Sequence, residues 1–309
     1  MSEQQPPTID LQAARRWQQM PADASPWLHE EVARRMQERL EWIKRQPASW
    51  VHWEPLRGGM QVHALLAQRY PKAACTVLEP TAMGVQRVTQ ALATPWWKPG
   101  SWSRPRTGVV TQIGQPAQML WSNMALHMAA DPRALMAQWH HALEVDGFLM
   151  FSCLGPDTLK ELRGLYQALQ WPAPAHEFTD MHDWGDMLMA AGFAEPVMDM
   201  ERITLTFETP QRLLQELRGL GRNLHVGRFA ASRGRSWHRQ LLDALGQAPL
   251  QLTFEVIYGH AFKPAPRLSV SAHSEISLDE MRAALLRGRM GTSAGHEKTE
   301  PADKGCKND

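Results

Sequence analysis

The stretch from Gly147 to Arg163, GFLMFSCLGPDTLKELR, constrains the fold more than any other part of the chain. It reads as a buried strand from Phe148 to Leu154, a Gly155-Pro156 turn, then a helix with Asp157 and Thr158 at its mouth. Short apolar runs bounded by turn residues suit the interior of a parallel sheet. Asp and Thr at a helix start take up its free N–H groups and face its positive end. A matching unit lies upstream: a strand from Ala117 to Trp121, a break at Ser122-Asn123, and an amphipathic helix from Asp131 to Leu143. Two strand–helix units in series imply right-handed crossovers and a doubly wound, mostly parallel α/β sheet. Ligands of such sheets sit beyond the carboxyl ends of the strands. Asn123, Leu154 and Gly155 are therefore expected at the working edge.

The remaining elements fit around this pair. Residues 1 to 26 are rich in Pro and Ala and are expected to pack loosely. A helix follows from Leu28 to Arg45, with Leu28, Val32, Met36, Leu40 and Ile43 on one stripe. Trp50 to Glu54, Ala74 to Glu79 and Gly108 to Ile113 read as further strands, and Thr94 to Arg106 as a loop. His182 to Ala191 is helical, and Glu195 to Phe207 and Gln251 to Phe262 are late strands. Between these two strands, Pro210 to Gly246 is mostly helical and basic, placed to cover the ligand edge as a lid. The chain thus divides into an N-terminal segment and helix (1–46), a main domain (47–265, lid 210–246) and a tail (266–309). The tail reads as mostly disordered, with one short helix announced by the capping box Ser277-x-x-Glu280.

Composition narrows the function classes. A net charge of +1 argues against a nucleic-acid footprint or an anionic membrane surface. No window approaches the roughly 18 unbroken apolar residues of a membrane span, and the polar start MSEQQPPTIDLQ has no apolar signal core. A cytoplasmic location is the expectation. Cys75, Cys153 and Cys306 lack metal spacing and read as small hydrophobes rather than redox or metal groups, so no metal is expected. The 13 tryptophans are scattered, which favours packing over a recognition cage.

Four blocks carry a family resemblance: SNMALHMAADPRALMAQWHHALEVDGFLMFSCLGPDTLKELR (122–163), DMHDWGDMLMAAGFAEPVMDMERITLTF (180–207), LRGLGRN (217–223) and YGHAFKP (258–264). Together they resemble the BioC-type malonyl-acyl-carrier-protein O-methyltransferases of biotin synthesis, over residues 10 to 265. A mitochondrial complex I assembly factor of the same branch shares related blocks. The resemblance implies a class I methyltransferase fold, a Rossmann-like doubly wound sheet with an α-helical lid between the last strands. It implies S-adenosylmethionine as cofactor and, as partner, an acidic acyl carrier protein presenting malonyl-phosphopantetheine. Arg218, Arg222, Arg228, Arg233, Arg235 and Arg239 on the lid offer that partner positive charge.

The same resemblance assigns site residues and exposes departures. Glu79 stands where the family's ribose-binding acid belongs. The glycine-rich turn, expected as V-L-D-x-G-C-G-T-G, reads here Val51-His52-Trp53-Glu54-Pro55-Leu56-Arg57-Gly58-Gly59. Trp53 replaces the acid, and Pro55 and Arg57 replace the first two glycines, leaving Glu54, Gly58 and Gly59 to meet the cofactor. Proline has no N–H to offer and a φ fixed at about −65°. Arg57 brings a cation toward a sulfonium pocket; at about 6 Å and an effective dielectric of about 20, like charges repel by roughly 3 kcal/mol. No acid follows the third strand, where Gln112 stands nearest the adenine position, and an N-terminal aromatic expected over the cofactor appears as Ala22.

All four departures fall on the cofactor side, whereas the substrate-side blocks are nearly intact. Candidates for holding and orienting the reacting carboxylate are Asn123, His182, Arg218, Asn223 and His260, with Asp183, Tyr258 and Gly259 beside them. Each has a plainer structural reading: a solvated helix residue for Arg218, a core residue for His260, a helix cap for His182-Asp183 and a cap of the following turn for Asn123. Two classes of function follow. One is an active methyltransferase acting on the free carboxylate of a malonyl carrier protein. The other is a non-catalytic relative that uses the fold as a binding scaffold, with protein modification, as in the assembly-factor branch, a third reading.

Overall fold

The computed structural model describes residues 9–22, 24–93, 107–229 and 231–266. Its strands are β1 (Ser49–Trp53), β2 (Ala74–Leu78), β3 (Gly108–Val110), β4 (Ala117–Ser122), β5 (Leu143–Leu154), β6 (Ala194–Thr206) and β7 (Gln251–Phe262). They form one sheet in the order β3-β2-β1-β4-β5-β7-β6, parallel except for β7, which runs antiparallel to both neighbours. The order reverses between β1 and β4, whose register pairs Trp53 with Ser122 at the carboxyl edge. That reversal is the switch point at which ligands of open α/β sheets bind.

The helices are α1 (Leu11–Gln19), α2 (Trp27–Arg39), α3 (Pro55–Gly58), α4 (Gln61–Arg69), α5 (Ala82–Leu92), α6 (Pro132–His141), α7 (Lys160–Ala168), α8 (Met181–Ala190), α9 (Pro210–Leu220) and α10 (Arg235–Gly246). Alternating side chains of the sheet enter two apolar layers. Trp50, Met119, Trp121, Phe148 and Met150 pack with α2 and α4. Val51, Leu120, Leu149 and Phe151 pack with α6 and α8 on the other face. Trp50, Trp121, Trp139 and Trp184 are fully buried, and Cys75 and Cys153 are buried free thiols.

Two sequence expectations change. Helix α7 opens at Lys160 rather than at Asp157, because tertiary partners claim the residues before it. Asp157 pairs with Arg202 of β6 at 2.7 Å, the Thr158 hydroxyl donates to the Glu255 carbonyl at 3.2 Å, and Leu159 is left-handed at φ 58°. The N-terminal segment is not loose from residue 9 onward. Asp10 caps α1 by accepting from Gln12 and Ala13 N–H, pairs with Arg228 at 2.5 Å, and donates its own N–H to Leu224. The segment expected to be mostly helical holds α9 and α10, with residues 221–229 and 231–234 irregular between them. The expected loop Thr94 to Arg106, Cys306 and the capping box Ser277-x-x-Glu280 lie outside the described residues. Among the described residues no helix is long and apolar enough to cross a membrane.

Candidate active site at the sheet's switch point

The loops after β1, β2, β3 and β4 enclose a cavity of about 840 Å³. Its lining includes Trp53, Glu54, Arg57 and Gly58 after β1, Leu78 and Pro80 around β2, Gln112 and Ile113 after β3, and Asn123 and Met124 after β4. Trp17 of α1, His29 of α2, Met128 and, from the lid, Leu220 complete the part over the switch point.

The altered turn folds in a way that removes the need for two of its expected glycines. Residues Pro55–Gly58 form one helical turn, with Pro55 at its first position, where a missing N–H leaves no bond unmade. Arg57 lies inside that turn. The last glycine is retained where it is needed: Gly59 has φ 128°, which strains any other residue. Gly58 is retained for a different reason, since a Cβ there would stand 2.6 Å from the Asn123 carbonyl oxygen. The strain moves to Glu54, left-handed at φ 50°. Arg57 turns toward α1, where its Nη2 donates to the carbonyls of Trp17 (2.8 Å) and Met20 (2.5 Å) and its guanidinium lies 4.0 Å from the Trp17 ring centre. A cation at a helix carboxyl end also meets the favourable pole of the helix.

Glu79 does not turn to the cavity. Its Oε1 accepts from Leu56 N–H at 3.0 Å, and the side chain is 5% exposed and absent from the cavity wall. Burial pushes its carboxyl up to about 7, against the lowering effect of the Leu56 N–H and Arg57. Glu54 is the acid after β1 that lines the cavity, and Asp131 lines it further along. Glu54 accepts from Trp53 Nε1 at 3.1 Å, and burial raises its pKa as well.

The Glu79 shift carries a signed expectation for stability. The folded protein keeps a proton that the unfolded chain, at 4.5, releases. This group's contribution is therefore most favourable below pH 4.5 and is lost as pH rises from 4.5 to about 7. Glu79→Gln keeps an acceptor for Leu56 N–H and removes the titration. Between pH 5 and pH 8 the variant should gain on the unaltered protein by on the order of 2–3 kcal/mol in urea unfolding. Parallel pH profiles would refute the assignment.

Asn123 is 2% exposed and fully engaged. Its Nδ2 donates to the His29 carbonyl at 2.8 Å and to the Gly58 carbonyl, and its Oδ1 accepts from Ser152 Oγ at 2.5 Å. It thereby ties α2, the turn after β1, and β5 together beside the cavity. The other expected carboxylate-binding residues are not gathered there. His182 is exposed on α8, held by Asp180, which also caps that helix in place of His182-Asp183. Arg218 is exposed on α9. Asn223 links the lid to the Ala173 carbonyl at 2.7 Å. His260 lies toward the opposite sheet edge, paired with Met150 and packed between Phe148 and Phe262, and burial holds it neutral at a pKa of about 4. Tyr258 is buried in the layer that packs with α2 and donates to Glu201 at 2.5 Å. Ala22 does not line the cavity; its carbonyl receives Arg87.

Trp17 and His29 are among the cavity residues that escaped the sequence reading. Trp17 supplies an N-terminal aromatic five residues before Ala22. Its signal was the N-cap Asp10 followed by Ala14 and Trp17 at three-residue spacing. His29 donates from Nδ1 to the Arg57 carbonyl at 2.6 Å, and burial lowers its pKa to about 4. With a pKa that low it is neutral at pH 7 and its Nδ1 carries the proton toward that carbonyl.

A sheet in this order with one antiparallel strand, and a cavity over the β1–β4 reversal, define the class I methyltransferase fold. A Bacillus halodurans protein thought to be a methyltransferase shares it at TM-score 0.51 and 11% identity, over 76% of this chain and all of that one. No family model matches the chain. Among curated relatives, a malonyl-[acyl-carrier protein] O-methyltransferase of Gallionella capsiferriformans is 40% identical over 264 residues, covering 80% of this chain and 88% of the relative. One from Laribacter hongkongensis is 37% identical over 257 residues, covering 79% and 86%. The chain belongs to the malonyl-[acyl-carrier protein] O-methyltransferase family.

Proposed function

We propose that the chain transfers a methyl group from S-adenosylmethionine to the free carboxylate of malonyl-acyl carrier protein, presented on its phosphopantetheine arm, in the cytoplasm at the entry to biotin synthesis. The observation that carries this reading is the cavity at the switch point, in a member of this family. The residues present fit the cofactor. Glu54 is an acid facing the cavity for its cationic or hydroxyl groups, Arg57 a cation for its carboxylate, and Leu78, Pro80 and Ile113 are walls for the adenine with Gln112 beside them. When bound, S-adenosylmethionine supplies a methyl group on cationic sulfur, open to displacement by a carboxylate oxygen. A malonyl carboxylate is anionic at neutral pH, so no side chain has to remove a proton. Asn123 fixes the three walls, while Trp17, Met124, Met128 and Leu220 keep water from the reacting groups. Arg218, Arg235 and Arg239 are exposed on the lid and outside any ion pair among the described residues, so they remain to meet an acidic carrier. Arg228 is taken by Asp10, and Arg233 by the rings of Phe229 and Trp237.

A specific observation favours the scaffold reading. The groups that would meet a cofactor partly satisfy one another: Glu79 bonds Leu56 N–H, and Glu30 of α2 accepts from Met60 N–H at 2.9 Å at the head of α4. Calorimetric titration with S-adenosylmethionine and S-adenosylhomocysteine separates the two. Micromolar binding, followed by methyl ester formation on malonyl carrier protein, is the expected result. No heat at millimolar ligand, from protein shown to be folded, would leave the scaffold reading standing.

A further inference from the structure

The Trp17 ring holds two guanidinium groups, Arg57 at 4.0 Å and Arg222 at 5.7 Å from its centre. Arg57 and Trp17 belong to the cavity wall, and Arg222 lies on the exposed lid segment two residues beyond the wall residue Leu220. Among the described residues neither arginine has a carboxylate within ion-pair distance. Arg57 commits only Nη2, to the Trp17 and Met20 carbonyls. Arg222 commits only Nη1, at 2.5 Å to the Arg218 carbonyl and 2.7 Å to that of Gly221. Nε and Nη1 of Arg57, and Nε and Nη2 of Arg222, have no acceptor among the described residues. A ring face attracts a cation but satisfies none of these N–H groups. Two like charges gathered on one ring repel, and an anion between them removes that repulsion while accepting the free donors.

We infer that Arg57 and Arg222, assembled on Trp17, form a two-arginine site for a carboxylate at the rim of the cavity. A planar carboxylate suits the guanidinium fork, which bonds it through two parallel N–H groups. Arg57 stands at a position where a glycine was expected, so this chain has built the site where the usual pattern offers only backbone. The inference rests on the methyltransferase reading, which brings two carboxylates to this place: that of the cofactor's amino acid and the free one of the malonyl group.

The test uses Arg222→Gln, an exposed position whose change leaves the Arg57 contacts to α1 in place. Calorimetry compares S-adenosylhomocysteine with its decarboxylated analogue, and malonyl-pantetheine with propionyl-pantetheine. A loss of tenfold or more for S-adenosylhomocysteine, with the decarboxylated analogue unchanged, supports the site and identifies its occupant as the cofactor carboxylate. The same loss for malonyl-pantetheine, with propionyl-pantetheine unchanged, supports it as the substrate site. Unaltered protein that binds only malonyl-pantetheine, in an Arg222-dependent way, keeps the site and overturns the methyltransferase reading. Protein that binds S-adenosylhomocysteine with every affinity unmoved by Arg222→Gln overturns the site and leaves that reading intact. Failure of the unaltered protein to bind any of the four overturns both.

Discussion

Replacing Gly259 by alanine should destabilise the protein by about 3 kcal/mol or more, at the upper end of what overpacking a core costs. Gly259 lies on β7 opposite Phe151 of β5. An ideal Cβ at this position would stand 2.1 Å from Phe151 Cε1 and 2.3 Å from Cζ, well inside van der Waals contact. The ring has little room to give way, because Phe151 is fully buried and packs against Trp139 at 5.7 Å between ring centres. The backbone is equally confined, since β7 is bonded on both sides, to β5 and β6. With an unfolding entropy of about 2.1 cal/mol/K per residue, such a loss lowers Tm by about 5 °C. Phe151→Leu alone should cost about 1–2 kcal/mol as a partly filled cavity. In the double variant the two losses should largely cancel rather than add, because the leucine removes the atoms that the new methyl meets. Additive losses would place the cost of Gly259→Ala in backbone conformation instead of in the Phe151 ring.

That contact also explains which parts of the molecule were legible in the sequence. Apolar runs such as Phe148 to Leu154 announce buried strands, because strands covered on both faces have no polar side. Gln251 to Phe262 is found with its predicted bounds. The YGHAFKP block, however, gives no sign of which edge of the sheet it serves. Only the antiparallel register of β7 puts His260 opposite Met150 and away from the cavity, leaving Gly259 as a packing residue and Tyr258 on Glu201. Side-chain direction at the site was hidden for a similar reason. Glu79 sits at the end of β2, where the ribose acid was expected, yet its carboxylate turns to Leu56 because the refolded turn offers an N–H there. Arg57 reads from sequence as a cation aimed at the pocket. A helix signalled only by Asp10, Ala14 and Trp17 within the Pro- and Ala-rich start brings the Trp17 and Met20 carbonyls to meet it. Local pattern therefore located the elements and the working edge, and long-range hydrogen bonds decided which side chains face the cavity.

Asn123→Ala should cost about 3 kcal/mol and weaken S-adenosylhomocysteine binding by more than tenfold, because one side chain holds three walls of the cavity. Its loss leaves the His29 and Gly58 carbonyls without this donor and Ser152 Oγ without its acceptor. Each buried group left unpaired costs about 1–3 kcal/mol, less any partner it finds on relaxing. The neighbourhood cannot collapse freely, since Gly58 already approaches the Asn123 backbone so closely that a Cβ would stand 2.6 Å from its oxygen. Asn123→Asp separates shape from hydrogen-bond polarity. The side chain keeps its size and can still accept from Ser152, but a carboxylate would face the two carbonyl oxygens with no proton to donate. Its deficit should therefore exceed that of alanine at pH 8 and shrink toward pH 5, where a protonated carboxyl regains one donor. Urea unfolding at both pH values, with ligand titration of each variant, measures these differences. An alanine variant with the stability and cofactor affinity of the unaltered protein, but without methyl transfer, would instead make Asn123 a catalytic residue that touches the reacting groups.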